Sequence, residues 1–357
     1  MARSRRILMT TDTAGGVWVY ALELAGALAA HQVEVVLATM GTPPTPAQAR
    51  DAARLRNVEL IASDHPQEWM QPTWYEVDDA GAWLQALAAR FAPDVVHLNG
   101  YAHAAVPFTA PVVVVAHACV CTWWRAVHNE DAPAAWNDYR HRVAAGLRAA
   151  SVVVAPTAAM LRAVLAIHGV ARPGRVIASG RDPARFAPAR KEPFVLGAGR
   201  RWDPADGLDT LDACAPAVPW PIRVAGPTTP PGGPAAPSQL ELLGVLEPDQ
   251  LSGWMARAAI YALPARYAPF GLSVLEAALS GCALVLGDLS TLREVWGDAA
   301  LYVDPDDAGA LAATLRRLAA DSDARATLSR RAHARALELT PARMAAAYRA
   351  LYDEVAA

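Results

Sequence analysis

The chain has 357 residues, more than one typical core holds, so two domains are expected. A net charge of −3 argues against a nucleic-acid binder, and without a run of 18 apolar residues no transmembrane helix is expected. The four cysteines form no CxxC pair, and no histidine–cysteine group has metal-ligand spacing. These features predict a reduced, cytoplasmic protein without a metal site.

The first half alternates short apolar runs with helical patterns. Strands are predicted at 6–9, Val33–Thr39, 94–98, 111–116 and 151–155, and helices at 16–30, 80–91 and 133–150. Runs of β-branched residues between helices indicate strands that are buried on both faces of a parallel sheet. The charged, aperiodic residues 178–192 predict a linker between domains.

The alternation restarts after this linker. Strands are predicted at 194–198, Ile222–Ala225, 260–263, Ala283–Gly287 and Leu301–Val303, helices at 209–215, 248–258, 272–280, Ala308–Ala320 and Pro341–Val355, and a loop at 227–237. Two such halves predict an α/β fold of two Rossmann-like, doubly wound domains that face a central cleft. The expected domains are residues 1–182 and 183–340.

The segment from Ala265 to Glu276 carries the most chemical information. A turn leads into Phe270 and Gly271, and an apolar helix with one acid, Glu276, follows. Glycine allows the backbone to approach a ligand, and a helix start offers N–H groups and a positive dipole end. A carboxylate one turn later is placed to bind hydroxyls, so the segment favours a nucleotide diphosphate site. The spacing of Ser273 and Glu276 also fits a capping box, which is purely structural.

Two glycine-containing turns follow predicted strands, where ligands bind in doubly wound sheets. Gly15 and Gly16 open the first helix and would let the backbone approach a phosphate; the alternative is an ordinary turn capped by Asp12 or Thr13. Gly199-Arg200 follows the strand 194–198, and the alternative for Arg200 is a surface salt bridge.

Histidines close two neighbouring strands. His97 ends the strand 94–98 and His117 follows the strand 111–116, so both are expected at one edge of the sheet. Candidates for sugar or acceptor contact near them are Asn99, Tyr101, His103, Trp123 and Trp124. The structural alternatives are buried histidines and apolar packing. The spacing of Thr291 and Glu294 predicts a second capping box. Residues Asp304-Pro-Asp306-Asp307 predict a turn with helix caps rather than a metal motif.

The ordered features of the second half resemble the retaining glycosyltransferases of family 4, which have the GT-B fold. The series comprises Gly199-Arg200, Gly244, residues 264–276, Gly281, Asp288, Glu294, Gly297-Asp298 and Asp304-Pro305. The family pattern has two glutamates with seven residues between them; the second falls on Glu276 and the first on Ala268. A lysine of the pattern falls near Asp206, and residues 201–207 contain no lysine.

The resemblance implies metal-independent transfer of a hexose from a UDP- or GDP-sugar to a glycan, a lipid-linked saccharide or a small metabolite, with no other cofactor. It implies that Arg200 and the N–H groups of Gly271, Leu272 and Ser273 hold the diphosphate, while Glu276 holds the ribose. It places Val245 beside the base and His117 at the donor sugar, and implies that the helix 341–357 packs back on the first domain. It also suggests bacterial polysaccharide or glycoconjugate biosynthesis.

Ala268 and Asp206 stand where the family pattern has a glutamate and a lysine. Each of these contacts would stabilise the transition state of sugar transfer by about 2–4 kcal/mol. A different donor or an introduced substitution at Ala268 would explain the first change. A degenerate GT-B protein that binds a nucleotide sugar or glycan without efficient catalysis is the alternative, and a sugar phosphorylase or nucleotide-sugar epimerase is a further one. Arg3, Arg5 and Arg6 give a weak indication of peripheral membrane contact. The oligomeric state is left open.

Overall fold

The computed structural model describes residues 4–70, 73–230, 232–233 and 237–357, so Arg3 and part of the predicted loop 227–237 lie outside the described residues. The chain divides into two compact units. The first contains the described residues up to 125 together with 130–180 and 341–357, and the second contains 126–129 and 181–340. No helix in the described part of the chain is long and apolar enough to cross a membrane.

The first unit is built on a seven-stranded parallel sheet with the order β3-β2-β1-β4-β5-β6-β7. Its strands are β1 Arg5–Thr11, β2 Val33–Thr39, β3 Val58–Ala62, β4 Val95–Leu98, β5 Val112–Val115, β6 Val152–Ala155 and β7 Gly174–Val176. Its helices are α1 Gly16–Leu28, α2 Pro46–Ala53, α3 Trp74–Phe91, α4 Val120–His128, α5 Asn137–Ala149 and α6 Ala158–Ile167.

Helices cover both faces of this sheet because its strands are apolar on both sides. On β1, Ile7 and Met9 pack in a cluster with α1 and the C-terminal helix Pro341–Val355, which supplies Tyr348 and Tyr352. The residue between them, Leu8, packs on the opposite face with α3 and α5. The C-terminal helix is therefore part of the first unit.

The second unit has a six-stranded parallel sheet with the order β10-β9-β8-β11-β12-β13. Its strands are β8 Glu192–Ala198, β9 Ile222–Ala225, β10 Glu241–Gly244, β11 Ala258–Leu263, β12 Ala283–Gly287 and β13 Leu301–Val303. Its helices are α7 Leu208–Cys214, α8 Pro248–Arg257, α9 Leu272–Leu279, α10 Ser290–Trp296, α11 Ala308–Ala320 and α12 Ser322–Ala336; the C-terminal helix Pro341–Val355 is α13. The prediction of two doubly wound α/β sheets is confirmed.

Several elements were not predicted, and their sequences explain why. β3 is partly exposed along its whole length, and β7 has only three residues, so neither shows a strong apolar pattern. The helix predicted at 80–91 begins earlier, at Trp74, because Thr73 and Glu76 form a capping box there. The helix predicted at 133–150 is a short 3₁₀ turn, Ala134–Trp136, followed by α5.

Candidate functional site

The strand order of each sheet reverses at one point, and ligands of doubly wound folds bind outside the carboxyl ends of the strands there. In the first sheet the reversal lies between β1 and β4, and in the second between β8 and β11. Gly15 and Gly16 follow β1, and Asn99 follows β4. Gly199-Arg200 follows β8, and the segment that leads to Gly271 follows β11. The strongest sequence candidates therefore lie at the two reversal points.

The start of α9 has a glycine as its N-cap residue, so the first backbone N–H groups donate no hydrogen bond to an N-cap side chain. Gly271 is the N-cap residue, with a left-handed φ of 81°, and it makes no side-chain cap hydrogen bond. The preceding Phe270 is buried (5% exposed) and anchors the turn. Leu272 and Ser273 are the first helical residues, so the predicted capping box from Ser273 to Glu276 is wrong. The helix start is open to an anion.

Glu276 forms a largely buried ion pair with Arg181. Arg181 Nε lies 2.9 Å from Glu276 Oε1, and the two side chains are 7% and 15% exposed. The Arg181 guanidinium also lies over the Phe186 ring, 5.2 Å from its centroid. Sequence reasoning missed Arg181, because its position in the linker gave no signal of an ion pair 95 positions away.

Arg200 lies among acids rather than alone. Its side chain is half-exposed, with Nη2 2.6 Å from Asp203 Oδ2 and Nε 3.6 Å from Asp206 Oδ2. Its backbone N–H donates to Asp206 Oδ2 at 2.7 Å. Burial raises the pKa of Asp206 above its ordinary value, although the Arg200 N–H and guanidinium oppose the rise. Asp206 therefore points toward the β8 turn, not away from it.

Arg201 and Arg266 do not offset the charge of Asp206. Arg201 pairs with Asp212 at 2.8 Å, and Arg266 pairs with Asp209 at 2.8 Å and with Asp306 at 2.7 Å. Both arginines therefore pair with acids other than Asp206. The nearest cation to Asp206 in this turn is Arg200 itself.

Val245 lies beyond β10 and is 76% exposed, and the strand ends at Gly244 with a left-handed φ of 70°.

Ala268 is buried, and its carbonyl accepts a hydrogen bond from Thr291 Oγ1 at 2.7 Å. The predicted capping box at Thr291 is wrong, since Leu289 is the N-cap of α10. The predicted turn with caps is confirmed at Asp307, which accepts from the Ala310 N–H.

Asn99 joins the two predicted histidines of the first unit. Its Nδ2 donates to the Thr10 carbonyl at 2.7 Å, which identifies Oδ1 as the acceptor side. His97 Nε2 lies 3.2 Å and His117 Nε2 2.8 Å from that Oδ1, so both imidazoles carry a proton on Nε2. Tyr352 then donates to His97 Nδ1 at 2.7 Å. His117 Nδ1 is left with a lone pair that can accept a hydrogen bond.

Both histidines are neutral near pH 7. Burial lowers the pKa of His97 to about 3, with the Asn99 contact opposing the shift. Burial, and then the charge of His97, lower the pKa of His117 to about 3. The Tyr20 ring of α1 packs edge-on against His117, with centroids 4.4 Å apart. His117 is thus a fixed hydrogen-bonding group rather than a cation.

The β1 turn combines an open glycine with a buried acid. Gly15 is the N-cap of α1 with a φ of 76°, and a Cβ placed on it would meet no atom within 4 Å. Asp12 is 6% exposed and accepts from the Ala14 N–H at 3.2 Å. Burial raises the pKa of Asp12 to about 6, against that hydrogen bond. Thr13 bonds the Thr42 carbonyl and does not cap the helix.

The structure does not bring the other predicted residues of this unit to the Asn99 group. Tyr101 is buried and its hydroxyl donates to the Ala118 carbonyl at 2.8 Å. His103 is buried with Nε2 3.0 Å from the Val77 carbonyl of α3. Trp123 and Trp124 contact each other edge-on on α4, and Trp124 packs against the core. Tyr101 and His103 are thus hydrogen-bonded to backbone carbonyls, and Trp124 packs against the core.

The fold also brings together three residues that their spacing did not connect. Cys119, Cys121 and His168 are all buried, and their potential ligand atoms lie within 4.8 Å of one another. Linear spacing did not reveal this cluster, which could hold a metal ion. Lys191, the one lysine of the chain, is not in either turn; its Nζ bonds the Met255, Ala256 and Ser280 carbonyls.

Two units of this topology, with open turns at their strand ends, define the chain as a GT-B protein. Residues 14–185 match the family described as Glycosyltransferase Family 4, and residues 192–321 match Glycosyl transferases group 1. The chain belongs to the family 4 glycosyltransferases.

Solved structures agree with this fold. The chain aligns with a sucrose-phosphate synthase from Thermosynechococcus elongatus at a TM-score of 0.81 and 19% identity, covering 98% of both chains. It aligns with HepE of Anabaena, solved with UDP and glucose, at a TM-score of 0.74 and 16% identity, covering 98% of this chain and 100% of HepE.

One curated relative matches a shorter segment. O-antigen chain mannosyltransferase B of Escherichia coli is 32% identical over 101 residues, which is 28% of this chain. The match spans about a quarter (26%) of that protein's length.

Proposed function

We propose that the protein transfers a hexosyl group from a nucleotide diphosphate sugar to a hydroxyl acceptor, with retention of the anomeric configuration and without a metal ion. The observation that carries this proposal is the grouping in the second unit of three features around the β8–β11 reversal. These are the uncapped start of α9, the carboxylate of Glu276 and the half-exposed guanidinium of Arg200.

The diphosphate would be held by the first N–H groups of α9 and by Arg200. An uncapped helix start carries roughly half a positive charge, which favours an anion and stabilises a departing diphosphate. Asp203 and Asp206 oppose this attraction. Because burial already raises the pKa of Asp206, an approaching diphosphate favours its protonated form further. Donor binding is therefore expected to take up a proton at Asp206.

Glu276 would accept hydrogen bonds from the ribose hydroxyls, with Arg181 as a positioning residue. The ion pair holds the carboxylate of Glu276 in one orientation, and an exposed Val245 is available to contact a base. A carboxylate binds hydroxyls more strongly than a neutral acceptor does. In the first unit, His117 Nδ1 is suited to accept a hydrogen bond from a sugar hydroxyl.

A UDP- or GDP-sugar is the proposed donor. HepE was solved with UDP and glucose, which supports testing UDP-glucose first, and the mannosyltransferase relative supports testing mannosyl donors. The proposed acceptor is a saccharide in bacterial glycoconjugate synthesis, which the name of that O-antigen chain mannosyltransferase supports, and the proposed location is the cytoplasm. The buried Ala268 provides no carboxylate, so this enzyme would hold its donor sugar without that contact.

A donor panel tests the proposal directly. The purified protein is incubated with UDP- and GDP-hexoses and saccharide acceptors in EDTA, and nucleoside diphosphate release and the product anomer are measured by chromatography and NMR. We expect one donor to be consumed with its α or β configuration kept in the product. At limiting donor concentration, Glu276→Gln should lower release by at least about fivefold, while Glu59→Gln, which changes an exposed acid of the first unit, should not lower it. Inversion of the anomer, or full activity of Glu276→Gln, would refute the proposed chemistry.

A further inference from the structure

Cys119, Cys121 and His168 meet in the first unit at the junction of two helices. The cysteines flank Val120, the first residue of α4, and His168 follows the last residue of α6. The three residues are 3%, 1% and 5% exposed, respectively. Cys119 Sγ lies 3.2 Å from His168 Nε2, and all three potential ligand atoms are within 4.8 Å of one another.

These distances suit a common metal ion. With Zn–S bonds of about 2.3 Å and Zn–N bonds of about 2.0 Å, tetrahedral ligands lie roughly 3.5–3.8 Å apart. Cys119 Sγ and His168 Nε2 therefore need to separate by only a few tenths of an ångström, and the pairs that include Cys121, which lie within 4.8 Å, need to approach by no more than about 1.3 Å. Two sulfurs and an imidazole select a thiophilic ion over Mg²⁺ or Ca²⁺.

The surroundings of the cluster favour metal binding over simple apolar packing. His168 Nδ1 is buried without a hydrogen-bond partner among the described residues, so the imidazole is poorly satisfied through its ring nitrogens. The other two cysteines differ: among the described residues, Cys214 contacts a backbone carbonyl, and Cys282 contacts a backbone carbonyl and Lys191.

We propose that Cys119, Cys121 and His168 form a binding site for Zn²⁺ that is separate from sugar transfer. The two thiolates would neutralise the ion, and the imidazole would supply the third bond through Nε2. Three ligands are one fewer than a closed structural zinc site has, so binding should be reversible. The ion would tie the end of β5, through the start of α4, to the end of α6, and so stabilise the first unit.

The test uses the full chain, reduced and treated with chelator, then titrated with Zn²⁺ by calorimetry and with Co²⁺ by absorption. We expect one equivalent of Zn²⁺ to bind, a higher melting temperature, and a thiolate-to-cobalt charge-transfer band in the near ultraviolet. Cys121→Ser and His168→Gln should weaken binding by more than the ten- to hundredfold that losing an outer-shell partner costs. Cys214→Ser is the matched control for loss of a buried cysteine and should bind Zn²⁺ normally.

Folded wild-type protein that takes up no Zn²⁺ would overturn this inference, and this result does not depend on any variant folding. Co²⁺ uptake without the thiolate band would do the same, because it would place the metal on other ligands. Equal Zn²⁺ affinity in wild type and His168→Gln would remove the imidazole from the site and overturn the three-ligand assignment. Zn²⁺ uptake, the cobalt absorption band and the Zn²⁺ affinity of the variant are all measured without transferase activity.

Discussion

Glu276→Gln should affect both stability and nucleotide binding, and the Arg181 pair allows the two effects to be separated. The substitution removes the charge that lies 2.9 Å from Arg181 Nε, where both side chains are at most 15% exposed. Breaking a buried pair on one side costs about 3–5 kcal/mol. The contact of Arg181 with Phe186 remains, so we expect the lower end, about 3 kcal/mol. For a unit of this size that lowers the melting temperature by roughly 6–12 °C.

Nucleotide binding should fall as well, for a different reason. A carboxylate that accepts a hydrogen bond contributes about 1.5–3 kcal/mol, against about 1 kcal/mol for a neutral group. With two ribose hydroxyls the loss is about 1–4 kcal/mol, or roughly 5- to 700-fold in the dissociation constant. Isothermal titration with UDP or GDP, at a temperature where the variant is folded, measures this loss.

The double variant Arg181→Met, Glu276→Gln distinguishes the two causes. It removes the buried cation together with its partner, so thermal stability should recover toward wild type. Nucleotide affinity should stay low, because the carboxylate is still absent. If the double variant recovers nucleotide affinity along with stability, Glu276 acts only through the fold, and the assignment of this residue to the ribose is refuted.

Four other predictions follow from the cited contacts. Asp206→Asn keeps an acceptor for the Arg200 N–H and removes a charge, so affinity for a nucleoside diphosphate at pH 8 should rise by about three- to tenfold; an unchanged or lower affinity in titration calorimetry would contradict the charge argument. The pKa of His117 near 3 means that the imidazole does not titrate between pH 5 and 8, so His117→Asn should lower kcat without removing any limb of the pH–rate profile in that range. The pKa of Asp12 is raised to about 6 in the folded state, so protonation of this acid stabilises the fold. The free energy of unfolding should therefore fall by up to about 3 kcal/mol as pH rises from about 4 to about 6. Urea titrations of Asp12→Asn should show no such pH dependence. Lys191→Met leaves three carbonyls without their cation and should lower the free energy of unfolding by about 2–3 kcal/mol, while kcat per folded molecule stays at the wild-type value.

The sequence predicted the elements whose patterns are strong and local. β2, β9, β12, β13, α11 and α13 have the predicted bounds, because each is a continuous apolar run or a clear helical period between turn residues. The positions of Gly15, Gly199 and Gly271 at strand ends followed from the same alternation. β3 and β7 were not predicted, because β3 is partly exposed along its length and β7 has only three residues, so neither has a strong apolar pattern.

Contacts between distant residues could not be read from spacing. From the sequence, Glu276 fitted both a capping box and a ligand, with the ligand favoured. Only the fold shows that Gly271 is the N-cap residue and that Arg181 faces the acid. His103 and His117 both follow apolar strands in sequence, yet one bonds α3 and the other bonds Asn99. Such differences depend on side-chain direction, which periodicity does not specify.

The most direct test of the donor site is thermal denaturation with UDP, GDP, ADP and TDP, each at millimolar concentration, for wild type and Asp206→Asn. A ligand at about 100 times its dissociation constant adds about 2.7 kcal/mol, which is roughly 5–11 °C for a unit of this size. We expect one diphosphate to raise the melting temperature by several degrees, and by more in Asp206→Asn. If no diphosphate changes the melting temperature of either protein, the turns at β8 and β11 do not bind a nucleotide, and the account of this site is wrong.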